Sequence, residues 1–72
     1  MSPQRTTSLL NKLRQFRVDA GYTQQELATR IGVTRKTINT VENAVFIPST
    51  VLALKLSRAL NTDVHSLFQL PE

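Results

Sequence analysis

The chain contains no cysteine, so neither a disulfide framework nor a thiolate metal site can be built from it. It has a single histidine, His65, and scattered carboxylates, whereas a structural or catalytic metal needs three or four convergent ligands. Ser66 follows His65 directly, and adjacent residues of a helix do not face each other, so no Ser-His couple forms locally. The two glycines, Gly21 and Gly32, do not make a phosphate-cradling loop. No apolar stretch reads as a signal peptide or a membrane span. The expectation is a cytoplasmic protein that is not an enzyme, holds no cofactor or metal and has no membrane partner. Its 72 residues predict one domain with no room for a separate effector-binding unit. A domain of that size buries only about 60% of its unfolded surface and has little stability to spare.

Acidic residues are also scarce, which leaves a formal net charge of +4. The excess is lopsided: Arg5, Lys12, Arg14, Arg17, Arg30, Arg35 and Lys36 face only Asp19 and Glu26 in the first half, giving +5, while the second half is −1. One end of the molecule should therefore attract polyanions. A basic surface suits RNA or acidic lipid as well as DNA, so placement has to decide.

Placement is clearest in residues 23–43, TQQELATRIGVTRKTINTVEN, which read as two short helices hinged at Gly32. Thr23 and Glu26 form a capping box, so the first helix starts at about Gln24. Leu27, Ala28 and Ile31 give it one apolar stripe, and Gly32 stands where a left-handed residue ends a helix. Thr34 is a second N-cap, and a connection of about three residues forces the helices to cross steeply, as in a helix-turn-helix. The second helix breaks local rules. Arg35 and Lys36 occupy its first turn, where the dipole disfavours cations by roughly 0.3–1 kcal/mol each, and Thr37, Ile38, Thr40 and Val41 are β-branched. With Ile38 and Val41 as the inward anchors, Lys36, Asn39, Thr40 and Asn43 point outward and Arg35 lies at the near edge. Arg and Lys can donate to guanine, Asn can pair with adenine, and Thr methyls can meet thymine methyls. A merely solvated helix face is the alternative; the paired caps, the Gly turn and cations set against the dipole favour the reading as a DNA probe.

At this point the chain resembles the phage repressor and Cro (Xre-like) helix-turn-helix family. The resemblance runs through Leu13, Phe16-Arg17, Gly21, Thr23-Gln24, Glu26-Leu27-Ala28, Gly32-Val33-Thr34, Ile38, Val41-Glu42-Asn43, Pro48-Ser49 and Leu67-Phe68. It implies an all-α, compact five-helix bundle whose third helix enters the major groove while the second lies across the DNA backbone. It also implies an ion pair between Arg17 and Glu42 that ties the first helix to the end of the third. Gln24, Thr34 and Asn43 carry over as phosphate contacts, which their places at helix ends support.

The rest of the chain is read as the frame for that probe. Residues 1–7 are expected to be a flexible tail, from which Arg5 could reach a phosphate or a minor groove, and residues 8–70 the single domain. A first helix is predicted from Ser8 to Ala20, with Leu9, Leu10, Leu13, Phe16 and Ala20 inward and Gly21 at its end. In the loop AVFIP, Ala44 stands where the family commonly has Gly, and Val45 where it has a basic residue, which puts a backbone phosphate contact there in doubt. Ala in a left-handed position costs on the order of 1 kcal/mol relative to Gly. Phe46 is expected to fold under the bundle; the other reading is that Val45, Phe46 and Ile47 meet a second subunit. A fourth helix runs from the Ser49 cap to Leu60 with Leu52, Ala53, Leu56 and Leu60 inward, and Asp63 caps a short fifth helix.

Apolar residues in surplus at this end, Phe46, Val51, Leu54, Val64, Leu67 and Phe68, predict a symmetric homodimer built from the fifth helix and its flanks. Two-fold symmetry would set two probes about one DNA turn, roughly 34 Å, apart. The function expected is a sequence-specific transcriptional regulator, a dimeric repressor on an inverted-repeat operator in double-stranded DNA. In that reading Arg35, Lys36, Asn39 and Thr40 read bases and Thr37 adds a contact. The alternative is a protein-interaction module, such as an antitoxin domain with a regulatory protein partner. It is disfavoured because the outward face of the third helix offers no aromatic or aliphatic anchor.

Overall fold

The computed structural model describes residues 10–70, and five helices account for most of them. They are α1 (Leu13–Asp19), α2 (Gln24–Ile31), α3 (Arg35–Glu42), α4 (Thr50–Ala59) and α5 (Val64–Leu67). The last four each start at a side-chain cap, because Thr23, Thr34, Ser49 and Asp63 accept from the amide three residues on. At α2 the cap is reciprocal: Glu26 N donates to Thr23 Oγ1 at 3.0 Å and Thr23 N to Glu26 Oε1 at 2.8 Å.

Helix ends are equally regular. The amide of Tyr22 closes on Arg17 O, Val33 on Ala28 O, Val45 on Thr40 O and Thr62 on Ser57 O, the six-to-one bond of a Schellman motif. The residue before each of those donors has a positive φ: Gly21 (84°), Gly32 (80°), Ala44 (61°) and Asn61 (56°). Glycine and asparagine tolerate that conformation; Ala44 does so at a steric cost.

The apolar stripes meet in one core made of Leu13, Leu27, Ala28, Ile31, Ile38, Val41, Leu52, Ala53, Leu56, Leu60, Leu67 and Phe68, with Phe16, Tyr22 and Val33 packed on its margin. α2 and α3 pack against each other around the Gly32 turn, and α4 lies against α2. This is what fixes α3, a segment with little helix propensity of its own: Ile38 and Val41 are fully enclosed.

Two expectations are corrected here. The first helix begins at Leu13, so that residues 10–12 lie outside it, and Leu10 is half exposed rather than inward. Instead β1 (Leu10–Asn11) pairs antiparallel with β2 (Phe68–Gln69), Leu10 opposite Gln69 and Asn11 opposite Phe68. Lys12 N continues the ladder onto Leu67 O at 2.9 Å, and the Asn11 side chain donates to Val41 O at 3.1 Å. With partners supplied by the far end of the chain, residues 10–12 need no helical bonds, and α1 starts only at Leu13. Ala20, placed inward by helical spacing, is exposed for the related reason that α1 has already ended. The second correction is Phe46, which stays 47% exposed beside exposed Val45 and Ile47 instead of folding under the bundle. The expectations for the tail (residues 1–7), Ser8 and Leu9 fall outside the described residues.

Candidate nucleic-acid interface

α3 presents its polar side to solvent because its apolar pair faces the core. Arg35, Lys36 and Asn43 are exposed, and Thr37, Asn39 and Thr40 are partly so. The structure therefore brings the candidate base-reading and phosphate-holding residues of α3 onto one continuous face, with Thr34 at its start and Gln24 beside it.

That face is stiffened from behind by Glu42. Its side chain is fully covered, and it accepts from Arg17 Nε at 2.6 Å, Arg17 Nη2 at 3.3 Å, Arg14 Nε at 3.3 Å and Gln24 Nε2 at 3.0 Å. Arg17 Nη1 donates in addition to Tyr22 O at 2.8 Å, so one guanidinium joins α1, the turn after it and the last turn of α3. Burial by itself pushes the Glu42 carboxyl up and is the largest single influence. The hydrogen bonds from Arg17, Gln24 and Arg14 and the Arg17 charge together outweigh it and hold the carboxyl below its ordinary value.

Gln24, the first residue of α2, spans the same side of α3. Its Nε2 reaches Asn39 Oδ1 at 3.3 Å as well as Glu42, and its Oε1 accepts from Arg35 Nη1 at 3.3 Å. Arg35, Asn39 and Glu42 recur at helical spacing, so one glutamine can touch all three. The side chain assigned to phosphate by resemblance thus also braces the probe. Asn39 Oδ1 accepts further from Asn43 Nδ2 at 3.2 Å, and Asn43 Oδ1 accepts from Arg14 Nη2 at 3.4 Å.

The hydroxyls differ in what they offer. Thr40 Oγ1 donates back to Lys36 O and Thr37 O, both at 3.0 Å, which spends its proton inside the helix and leaves a methyl and an acceptor for a partner. Thr34 and Thr37 share a hydroxyl contact at 3.1 Å at the start of α3. The Lys36 ammonium makes no hydrogen bond or ion pair to another described residue and is the freest cation on the face.

Arg14 went unassigned in the sequence although it enters the network, and a signal was present: it sits three residues before Arg17, on the same face of one helix. Of the residues expected at an interface between copies, Phe46, Val51 and Leu54 are exposed and Val64 is partly so. Leu67 and Phe68 are not available: both are buried in the protomer's own core, where α5 and β2 close over α4. His65 is exposed, and among the described residues no group of three His, Cys, Asp or Glu could hold a metal. No helix of the described residues is long and apolar enough to cross a membrane.

Known proteins share this arrangement. A helix-turn-helix family model matches residues 13–67. YgzD, an uncharacterized HTH-type transcriptional regulator of Bacillus subtilis, is 37% identical over 62 residues, spanning 86% of this chain and 94% of its own length. An uncharacterized HTH-type transcriptional regulator of Methanothermobacter thermautotrophicus is 43% identical over 61 residues, or 83% and 88% of the two chains. Among solved structures, the restriction-modification controller protein C.AhdI from Aeromonas hydrophila aligns with a TM-score of 0.73 at 36% identity, covering 78% of this chain and 81% of the other. A chain of the SinR protein/SinI protein complex aligns with a TM-score of 0.72 at 30% identity, over 76% and 54%.

Proposed function

The chain belongs to the helix-turn-helix family of DNA-binding transcriptional regulators, and on that premise we propose that it is a homodimeric repressor seating α3 in the major groove of an inverted-repeat operator. The observation that carries this reading is the outward face of α3. Five polar or cationic side chains, Arg35, Lys36, Asn39, Thr40 and Asn43, stand there without one apolar anchor, on a helix whose buried apolar side chains are Ile38 and Val41. Two of them oppose the helix dipole, a placement that a partner rich in negative charge compensates.

In this reading Arg35 and Lys36 donate to guanine O6 and N7, Asn39 pairs with adenine, the Thr40 methyl meets a thymine methyl, and Thr37 adds a contact at the edge. Asn39 needs both amide atoms for adenine, so its acceptor must leave Gln24 and Asn43. Those bonds are 3.2–3.3 Å long, in the weak range, and readily exchanged. Gln24, released from Asn39, and Thr34 and Asn43 at the two ends of α3 hold phosphates and set the register. Repression follows from occupancy: a dimer covering the operator excludes polymerase.

Selection of bound sequences from a random duplex library, then titration of the winner against scrambled DNA at about 150 mM salt, tests the proposal. A short inverted repeat preferred by roughly a thousandfold supports it; salt-sensitive binding without preference reduces α3 to an electrostatic surface. Lys36→Ala and Asn39→Ala are each expected to weaken operator binding by about 1–3 kcal/mol per lost bidentate contact, with unchanged helical circular dichroism.

One observation favours a second reading, in which the fold docks a regulatory protein partner. Val51 and Leu54 on α4 and Phe46 in the loop before it leave apolar surface open, and one structural relative was solved as a complex with another protein. Absence of DNA binding in the selection would make this the leading account.

A further inference from the structure

We infer that the DNA-contacting surface extends off the helix-turn-helix onto α1, with Arg14 acting as a phosphate contact paired with Asn43 at the C-terminal end of α3. The inference rests on the proposed DNA binding and adds to it a residue outside the helix pair.

Glu42 carries one negative charge and has two guanidiniums on it. The two are not equivalent. Arg17 is 11% exposed at its side chain and binds at 2.6 Å with both edges of its fork engaged, so it neutralises the carboxylate. Arg14 is 61% exposed and sits at 3.3 Å, with a further bond of 3.4 Å from Nη2 to Asn43 Oδ1. Its charge is left in excess, in water, at the edge of the polar face of α3. The long, exposed contacts contribute little to stability, which matches a side chain oriented toward something outside the protein rather than tied down within it. Arg14 also borders a shallow groove lined by Asn11, Lys12, Gln15 and Asn43; Lys12 adds a second cation there, and Asp19 is the one free carboxylate opposing them.

The placement fits the dimensions of the duplex. α3 has 8 residues, a length of about 12 Å at the usual helical rise, and the major groove is about 12 Å wide. Arg35 stands at one end of the helix and Arg14, through Asn43, at the other. A cation at that far end can meet a phosphate on the groove wall, while Arg35, Lys36, Asn39 and Thr40 lie over the base edges. A planar guanidinium already oriented by Asn43 suits a phosphate bidentately.

The test is the salt dependence of operator and scrambled-duplex binding for wild type, Arg14→Ala and Arg14→Lys. Each phosphate contact contributes about 0.9 to the slope of log K against log salt. Arg14→Ala is expected to flatten the slope by about 0.9 per protomer and to weaken operator and scrambled DNA by the same factor; Arg14→Lys, which keeps the charge, recovers the slope. Thermal melts run alongside separate a structural role. A lowered melting temperature with the wild-type slope retained overturns the inference and makes Arg14 a support for Glu42. Wild-type chain that binds no duplex overturns this inference and the proposed DNA binding together, whereas intact wild-type specificity with an unchanged slope in Arg14→Ala overturns this inference alone.

Discussion

At the scale of single residues, Glu42 has the most depending on it. It lies in the last turn of the probe helix, yet its carboxylate is the meeting point of α1, α2 and α3. A carboxyl held below its ordinary value folds better ionised than protonated, so its contribution is complete above the unfolded value of about 4.3 and is lost as pH falls through the lower folded value. Glu42→Gln, which cannot titrate, is expected to be less stable than wild type at pH 7 by about 3 kcal/mol, because it strands the enclosed Arg17 without a counter-charge. The gap should narrow as pH falls below about 4.3, which denaturant unfolding at each pH would follow. A gap that stays constant would mean that the pair holds by packing rather than by charge. The identity of this pair was reachable from family resemblance, and neither spacing nor composition marks it. The other donors on Glu42 were not legible, because Gln24 and Arg14 come from different helices and only the crossing angles bring them within reach. Thr40 was read as outward, and its position on the wheel is right; where its hydroxyl proton points is settled by local geometry that the wheel does not carry.

At the scale of elements, starts were easier to read than the chain's extremities. Thr23 with Glu26, and Thr34, Ser49 and Asp63 on their own, announce helices through a local hydrogen bond that needs only the neighbouring sequence. The short strand pair is a contact between residues about sixty apart, and Leu10 and Leu13 at helical spacing gave no hint of it. Local pattern cannot register a distant partner. The same contrast explains the four helix ends: glycine advertises two of them and asparagine a third, while Ala44 hides the fourth. Ala44→Gly removes steric strain from a residue at φ 61°. The expected gain is on the order of 1 kcal/mol, and that raises the melting temperature of a domain this small by roughly 4–8 °C. A thermal melt showing no gain would indicate that the loop after α3 already relaxes the strain, with consequences for how Val45 and Phe46 are presented.

For the whole molecule, the open question of function turns on how the probe is duplicated. A single α3 buries few base pairs, and a specificity sufficient for an operator needs two of them in fixed relation. The core leaves apolar side chains uncovered on α4, where Val51 is 62% and Leu54 55% exposed, and in the loop that follows the probe, at Phe46 and Ile47. With Leu67 and Phe68 occupied inside the protomer, the exposed side of α4 is the surface we propose for an interface between copies. Placing a carboxylate there tests the proposed dimer without disturbing the core: wild type is expected to sediment as a dimer, and Leu54→Glu to fold with the wild-type circular dichroism and sediment as a monomer. Its affinity for a full inverted repeat should fall by about 10²–10⁴, the loss of one linked half-site, while its affinity for a single half-site stays the same. The melting temperature should likewise lose the concentration dependence expected of a dimeric wild type. If Leu54→Glu remains dimeric and keeps its operator affinity, the two-fold axis runs elsewhere, and the exposed apolar surface of α4 belongs to a different protein partner.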